Sequence, residues 1–214
     1  MTTIARPCPT RRGAFIGLGA SLLGSRAWAR DRPPVITMLG DSITAGLGLP
    51  ARDALPAQLG AALARLGVKT LVRGAGVSGD TSGGALARVD FSVGSETAVC
   101  LVALGGNDLL QGADPRSTKA NLRRIIDKLK ARRIKVVLAG VRAPALIGAS
   151  YARDFNGLYP ALARETGAFY HPDFMGGVIG VQRLMQRDGI HPNAAGARII
   201  ADRLAPTVAA ALRA

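Results

Sequence analysis

The run from Ala98 to Leu104 is apolar at every position. Successive side chains of a strand point to opposite faces, so such a run has two faces that must both be kept from water. That requirement selects a parallel sheet with helices on each side and excludes a sheet with one wet face.

The surrounding pattern agrees. Val35 to Leu39 and Ile134 to Val141 read as further buried strands, with shorter ones predicted over Val68–Val72 and Ala168–Tyr170. Between them, apolar residues recur at helical spacing. Leu55, Leu59, Leu63 and Leu66 mark a helix over Ala54–Leu66 that Gly67 closes, and Leu122, Ile125, Ile126 and Leu129 mark one over Ser117–Arg132. Further helices are predicted over Thr81–Val89, Tyr151–Thr166 and Asn193–Leu212, with the remainder of Arg73 to Gly79 read as loop. The expectation is a single α/β domain, a three-layer α/β/α sandwich around a central parallel sheet. Ligands of such sheets bind beyond the carboxyl ends of the strands.

The first 29 residues belong to a different grammar. Arg11 and Arg12 precede an uncharged run from Gly13 to Ser25, and Ala27-Trp28-Ala29 places small residues at the two positions a signal peptidase reads. Residues 1–29 are therefore expected to be a cleavable export signal, by the twin-arginine or the general route, and residues 30–214 the domain. The apolar run falls short of the roughly 20 residues of a membrane span, so no stable span is expected after processing. This predicts a periplasmic or secreted protein. Cys8 lies before the apolar run, which argues against a lipoprotein, and Cys100 stays alone, so no internal disulfide is expected.

Cleavage after Ala29 removes Arg6, Arg11, Arg12 and Arg26 and no acid, so the net charge falls from +14 to +10. The excess is spread along helices without a dense tract or interleaved aromatics. A nucleic-acid interface is not expected; a solvated basic surface tolerant of anionic substrates or lipid headgroups is.

Four segments carry chemistry. In Asp188-Gly189-Ile190-His191, an acid three residues before one of only two histidines can bend back to the imidazole Nδ1–H, leaving Nε2 to act as a base. Gly40-Asp41-Ser42 leaves the first strand and offers a nucleophilic hydroxyl or, the commoner job for a serine in that setting, a helix cap. Gly76 to Thr81 is a turn whose glycines let a backbone N–H approach a substrate oxygen, or a plain loop with a cap at Asp80 or Thr81. Gly105-Gly106-Asn107-Asp108 follows the buried strand and can present the Asn107 amide as a donor, or hold Asn107 in a turn with Asp108 as cap. Together they are the parts of acyl transfer through a tetrahedral intermediate. His171 reads as structural. With so few histidines and cysteines no metal site is expected, and Asp41 and Asp108 read as caps and loop hydrogen-bonders.

In these four blocks, Gly40-Asp41-Ser42, Ser78-Gly79-Asp80-Thr81, Gly105 to Asp108 and Asp188 to Asn193, the sequence resembles the SGNH hydrolases, also called the GDSL family. The wording resembles its bacterial thioesterase I, lysophospholipase and arylesterase branch. The resemblance implies a flavodoxin-like strand order and a serine esterase or thioesterase that needs no cofactor. It makes Ser42 the nucleophile, His191 the base and Asp188 its orienting acid, with an oxyanion hole of the Ser42 and Gly79 N–H groups and the Asn107 side chain. It also implies medium to long acyl chains. Leu109, Leu110, Ala145, Leu146 and Ile147 are apolar loop residues suited to such a tail. Two departures stand out. Arg73-Gly74-Ala75-Gly76 lacks an asparagine often found before the oxyanion glycine, and Ile43 replaces the leucine after the serine. Rival expectations are a carbohydrate O-deacetylase and a non-catalytic lipid- or glycan-binding module.

Overall fold

The computed structural model describes Met1, Thr2 and residues 32–214. The export signal expected over 1–29 falls outside the described residues apart from its first two. From Pro33 onward five parallel strands, β1 (Val35–Gly40), β2 (Leu71–Gly76), β3 (Thr97–Ala103), β4 (Lys135–Ala139) and β5 (Phe169–His171), form one sheet in the order β2-β1-β3-β4-β5. Helices α1 (Ser42–Ala45), α2 (Leu55–Arg65), α3 (Ser82–Ser92), α4 (Gly106–Leu110), α5 (Pro115–Ala131), α6 (Ala149–Thr166) and α7 (Ala194–Arg213) connect and cover it.

The alternation of side chains along each strand explains the layers. Val99, Leu101 and Ala103 of β3 join Ile36 and Met38 of β1 in a core with α2 and α7. Cys100 and Val102 point the other way, into a core with α3, α5 and α6. Burial pushes the Cys100 thiol up to about 12, so it behaves as a small core residue. Helix α5 is polar over most of its surface and is held by the stripe Leu122, Ile125, Ile126 and Leu129, all fully buried. At about 1.5–3 kcal/mol per buried aliphatic side chain, that stripe outweighs the helix's modest intrinsic propensity.

One strand lies elsewhere than the residue pattern predicts. The β-rich stretch Val68–Val72 suggests β2, yet pairing runs from Val35 opposite Leu71 to Gly40 opposite Gly76. Residues 67–70 instead leave α2, with Gly67 left-handed at φ 73° and the Val68 N–H returning to the Leu63 carbonyl. Being an edge strand with much of its surface wet, β2 needs no apolar run, so its sequence carries little signal.

The strand order reverses at β1 and β3, where the chain turns first to β2 on one side and later to β4 on the other. This switch point opens a crevice at the carboxyl ends of β1 and β3, where Gly40-Asp41-Ser42 and Gly105 to Asp108 emerge.

Candidate active site

Ser42 is the first residue of α1, directly beyond β1, and Asp41 caps that turn by accepting the Ile43 N–H at 3.0 Å. His191 comes from the far end of the chain. Its loop is pinned by an antiparallel bridge between Met185 and Pro192 and by Asn193, which caps α7 through the Gly196 N–H at 3.1 Å. Asp188 bends back so that Oδ1 accepts the Ile190 and His191 N–H groups at 2.9 and 3.0 Å, while Oδ2 takes the His191 Nδ1–H at 2.7 Å. A carboxylate only accepts, so the ring proton sits on Nδ1, and Nε2 accepts from the Ser42 hydroxyl at 2.8 Å. These hydrogen bonds draw the Asp188 carboxyl down to about 2.

The other two blocks converge on the same place. Gly79 has φ 80°, a conformation open to glycine, and among the described residues no oxygen accepts its N–H. Gly105, at φ 109°, leaves no room for a side chain: a Cβ there would stand 2.1 Å from the Tyr159 hydroxyl, which donates to the Leu104 carbonyl at 3.0 Å. This sharp turn swings Asn107 toward the Gly79 loop, where Nδ2 donates to the Asp80 carbonyl at 2.8 Å. One amide hydrogen is thereby used and the second is left over. Asp108 holds the turn from below, accepting the Ser82 N–H at 2.8 Å, the Ser82 hydroxyl and the Thr118 hydroxyl.

Two residues with no motif of their own brace the site. Arg88 of α3 bonds the Asp80 carboxylate at 2.7 Å, the Gly40 carbonyl at 2.9 Å and the Ala75 carbonyl at 2.9 Å. It thus ties the Gly79 loop to the strand that delivers Ser42. It also supplies a donor at Ala75, within the segment where the family's asparagine is missing. Gln186 donates to the carbonyls of Leu47 and Pro192 at 2.7 and 3.0 Å, joining the serine and histidine loops. Sequence reading passes over both, since a basic residue on a helix and a glutamine in a loop are usually solvated.

Beside Ser42 a cavity of about 800 Å³ opens, bounded by Asp41, Ile43, Leu109, Leu110, Ala145 and Phe174 among others. Of the five apolar loop residues singled out, Leu109, Leu110 and Ala145 line it; Leu146 and Ile147 stand outside its wall, in solvent. Ile43 fills the leucine position, and packs on the core while facing the cavity. Asn156 clamps the Ala143 N–H and carbonyl at 2.7 and 3.0 Å and so shapes the wall. His171 is buried on β5 away from this cavity, and burial lowers its pKa. Among the described residues no three metal-ligating side chains cluster.

A doubly wound α/β sheet with a hydroxyl, an imidazole and a carboxylate in hydrogen-bonded series at its switch point defines a hydrolase of the serine class. The chain belongs to the GDSL-like Lipase/Acylhydrolase family, whose model matches residues 38–199. It is 38% identical over 174 residues to Esterase TesA of Pseudomonas aeruginosa, spanning 81% of this chain and 87% of that one. It is 40% identical over 185 residues to Thioesterase 1/protease 1/lysophospholipase L1 of Escherichia coli strain K12, spanning 86% of each. The crystal structure of AlinE4, an SGNH-hydrolase family esterase, is 39% identical and superposes with a TM-score of 0.71, covering 86% of this chain and 98% of that one.

Two stability experiments test the bracing. The Arg88 and Asp80 side chains are only 12% and 9% exposed. Arg88→Met should cost about 3–5 kcal/mol in urea unfolding, because it strands a buried carboxylate, and adding Asp80→Asn should recover part of that loss. Burial also raises Asp41 to about 6. With the folded value above the unfolded one, this group's contribution to stability is full below about pH 4 and is lost as pH rises through 6. Asp41→Asn, which keeps the capping oxygen, should therefore gain up to about 3 kcal/mol over wild type at pH 8 and little at pH 4 in paired thermal melts.

Proposed function

We propose that Ser42 is the nucleophile of an acyl-ester and thioester hydrolase, with His191 as proton carrier and Asp188 as its orienting acid. The observation that carries this reading is the unbroken series from the Ser42 hydroxyl to His191 at 2.8 Å and on to Asp188 at 2.7 Å. Ser42 Oγ attacks the carbonyl carbon as Nε2 takes its proton. The oxyanion is held by the N–H groups of Ser42 and Gly79 and the second amide hydrogen of Asn107. His191 passes its proton to the departing alkoxide or thiolate. It then deprotonates the water that attacks the acyl-serine, and finally returns a proton to Ser42. Asp188 keeps its charge down to about pH 2 and so steadies the imidazolium throughout; the nearby Asp41 carboxylate attracts the same cation.

The walls of the cavity support an acyl tail as its occupant, since Ile43, Leu109, Leu110 and Ala145 offer aliphatic contact and, among the described residues, Phe174 is the one aromatic residue lining it. The same scarcity of rings weighs against a polysaccharide deacetylase. Export supports the periplasm or the medium as the place of action, on the strength of Arg11-Arg12, the apolar run and Ala27-Trp28-Ala29. None of the described helices is long and apolar enough to cross a membrane.

Turnover of p-nitrophenyl esters tests the chemistry. Ser42→Ala should lower kcat by about 10⁴-fold or more and Asn107→Ala by about 100- to 1,000-fold. Rates should rise from acetate toward octanoate; a steady decline would sink the acyl-tail assignment. The intact mass of the exported protein should correspond to a chain that begins at Arg30, and a mass retaining Met1 would refute the cleavable signal.

A further inference from the structure

The mouth of the acyl cavity is ringed by aliphatic side chains that the fold leaves in solvent. Leu110, Ile179 and Ile190 line the cavity yet are 68%, 54% and 48% exposed. Leu146 and Ile147, 99% and 47% exposed, follow directly on Ala145 of its wall. They come from four separate segments: the end of α4, the turn after β4, the turn before Val181 and the loop between Asp188 and His191. Exposed apolar residues are ordinary when scattered, as are Leu66 at the end of α2 and Leu71 at the start of β2. Convergence of four segments on one opening is not.

The charges on these segments point to the occupant. Arg142 borders the cavity, and Arg183 and Arg187, both exposed, fall between Ile179 and Ile190 along the chain. Among the described residues, none of the three has a carboxylate partner. The acids nearby are engaged: Asp188 with His191, Asp154 with Arg153, and Asp41 by burial beside Ser42, leaving Asp173 on the cavity wall. Residues 30–214 carry a net charge of +10. Aliphatic anchors interleaved with unpaired arginines suit a surface that is apolar inside and anionic at its boundary. A protein interface would be expected to present aromatic anchors, and among the described residues this rim has none.

We propose that this rim seats the enzyme on an anionic lipid surface, so that an acyl chain passes from the lipid phase into the cavity without crossing water. The inference rests on the acyl-hydrolase reading for what the cavity receives.

The test is co-sedimentation of the full chain with vesicles of diether phosphatidylglycerol, which carries no ester to cleave, and with diether phosphatidylcholine. The full chain has its own apolar run over residues 13–25, so the quantity read is the difference between wild type and variant. Leu146→Ser/Ile147→Ser should weaken binding to the anionic vesicles roughly 10-fold. Arg183→Gln/Arg187→Gln should weaken it by about 5-fold per arginine removed, and more at low salt, with little change on phosphatidylcholine. Equal sedimentation of wild type and both variants would overturn the proposal. So would self-association of the wild type that the leucine and isoleucine changes abolish, since a second copy would then be the occupant. Soluble p-nitrophenyl acetate turnover is read on the same samples. Turnover without rim-dependent binding refutes the docking surface alone, and absence of wild-type turnover refutes the hydrolase reading alone.

Discussion

Strand β3 can be accommodated only if both of its faces are covered, and the rest of the molecule follows from that requirement. Val99, Leu101 and Ala103 need α2 and α7, while Cys100 and Val102 need α3, α5 and α6. Covering both faces forces crossover connections, crossovers force parallel strands, and parallel strands bring their carboxyl ends to a single edge. The order β2-β1-β3-β4-β5 then splits the loops after β1 and β3 and leaves a crevice between them. The site is located by the burial of a strand that contributes no reacting atom.

Within that crevice, precision comes from polar groups taken out of water and fully employed. Arg88 spends its guanidinium on the Asp80 carboxylate and the Gly40 and Ala75 carbonyls, and Asp108 accepts from Ser82 and Thr118. A buried polar group without a partner costs about 1–3 kcal/mol, so each such network has one low-energy arrangement and holds its loop there. Asp41 behaves differently. Its burial raises its pKa, and stability is given up at neutral pH to keep a carboxylate beside Ser42 and His191. The outer rim follows the opposite rule: Leu110, Leu146 and Ile179 are apolar and stay in water.

How much of this could be read beforehand depends on how each residue acts. Buried strands and amphipathic helices announce themselves by period, so β1, β3, β4, α2 and α5 fall close to where the pattern puts them. Strand β2 does not, because an edge strand with wet faces is free of that pattern, and the apolar Val68 belongs to the exit from α2. The four motif blocks are legible because serine, histidine, glycine and asparagine in those settings have few other uses in combination. Arg88, Gln186 and Asn156 are illegible because their importance lies in carbonyls that come near only after folding. Leu146 and Ile147 show the limit from the other side: adjacency to Ala145 in sequence says nothing of which side chains face inward on a turn.

By itself the sequence determined the layered α/β class and the residue types of the candidate site, since both depend on local periodicity and on chemical identity, which survive without coordinates. Tertiary structure alone decided that Ser42 and His191, 149 positions apart, stand 2.8 Å from one another, and that Arg88 and Gln186 hold them there. It also decided which apolar loop residues line the cavity and which stand in solvent. Those relations arise from chain segments brought together by packing, and no neighbourhood along the chain encodes them.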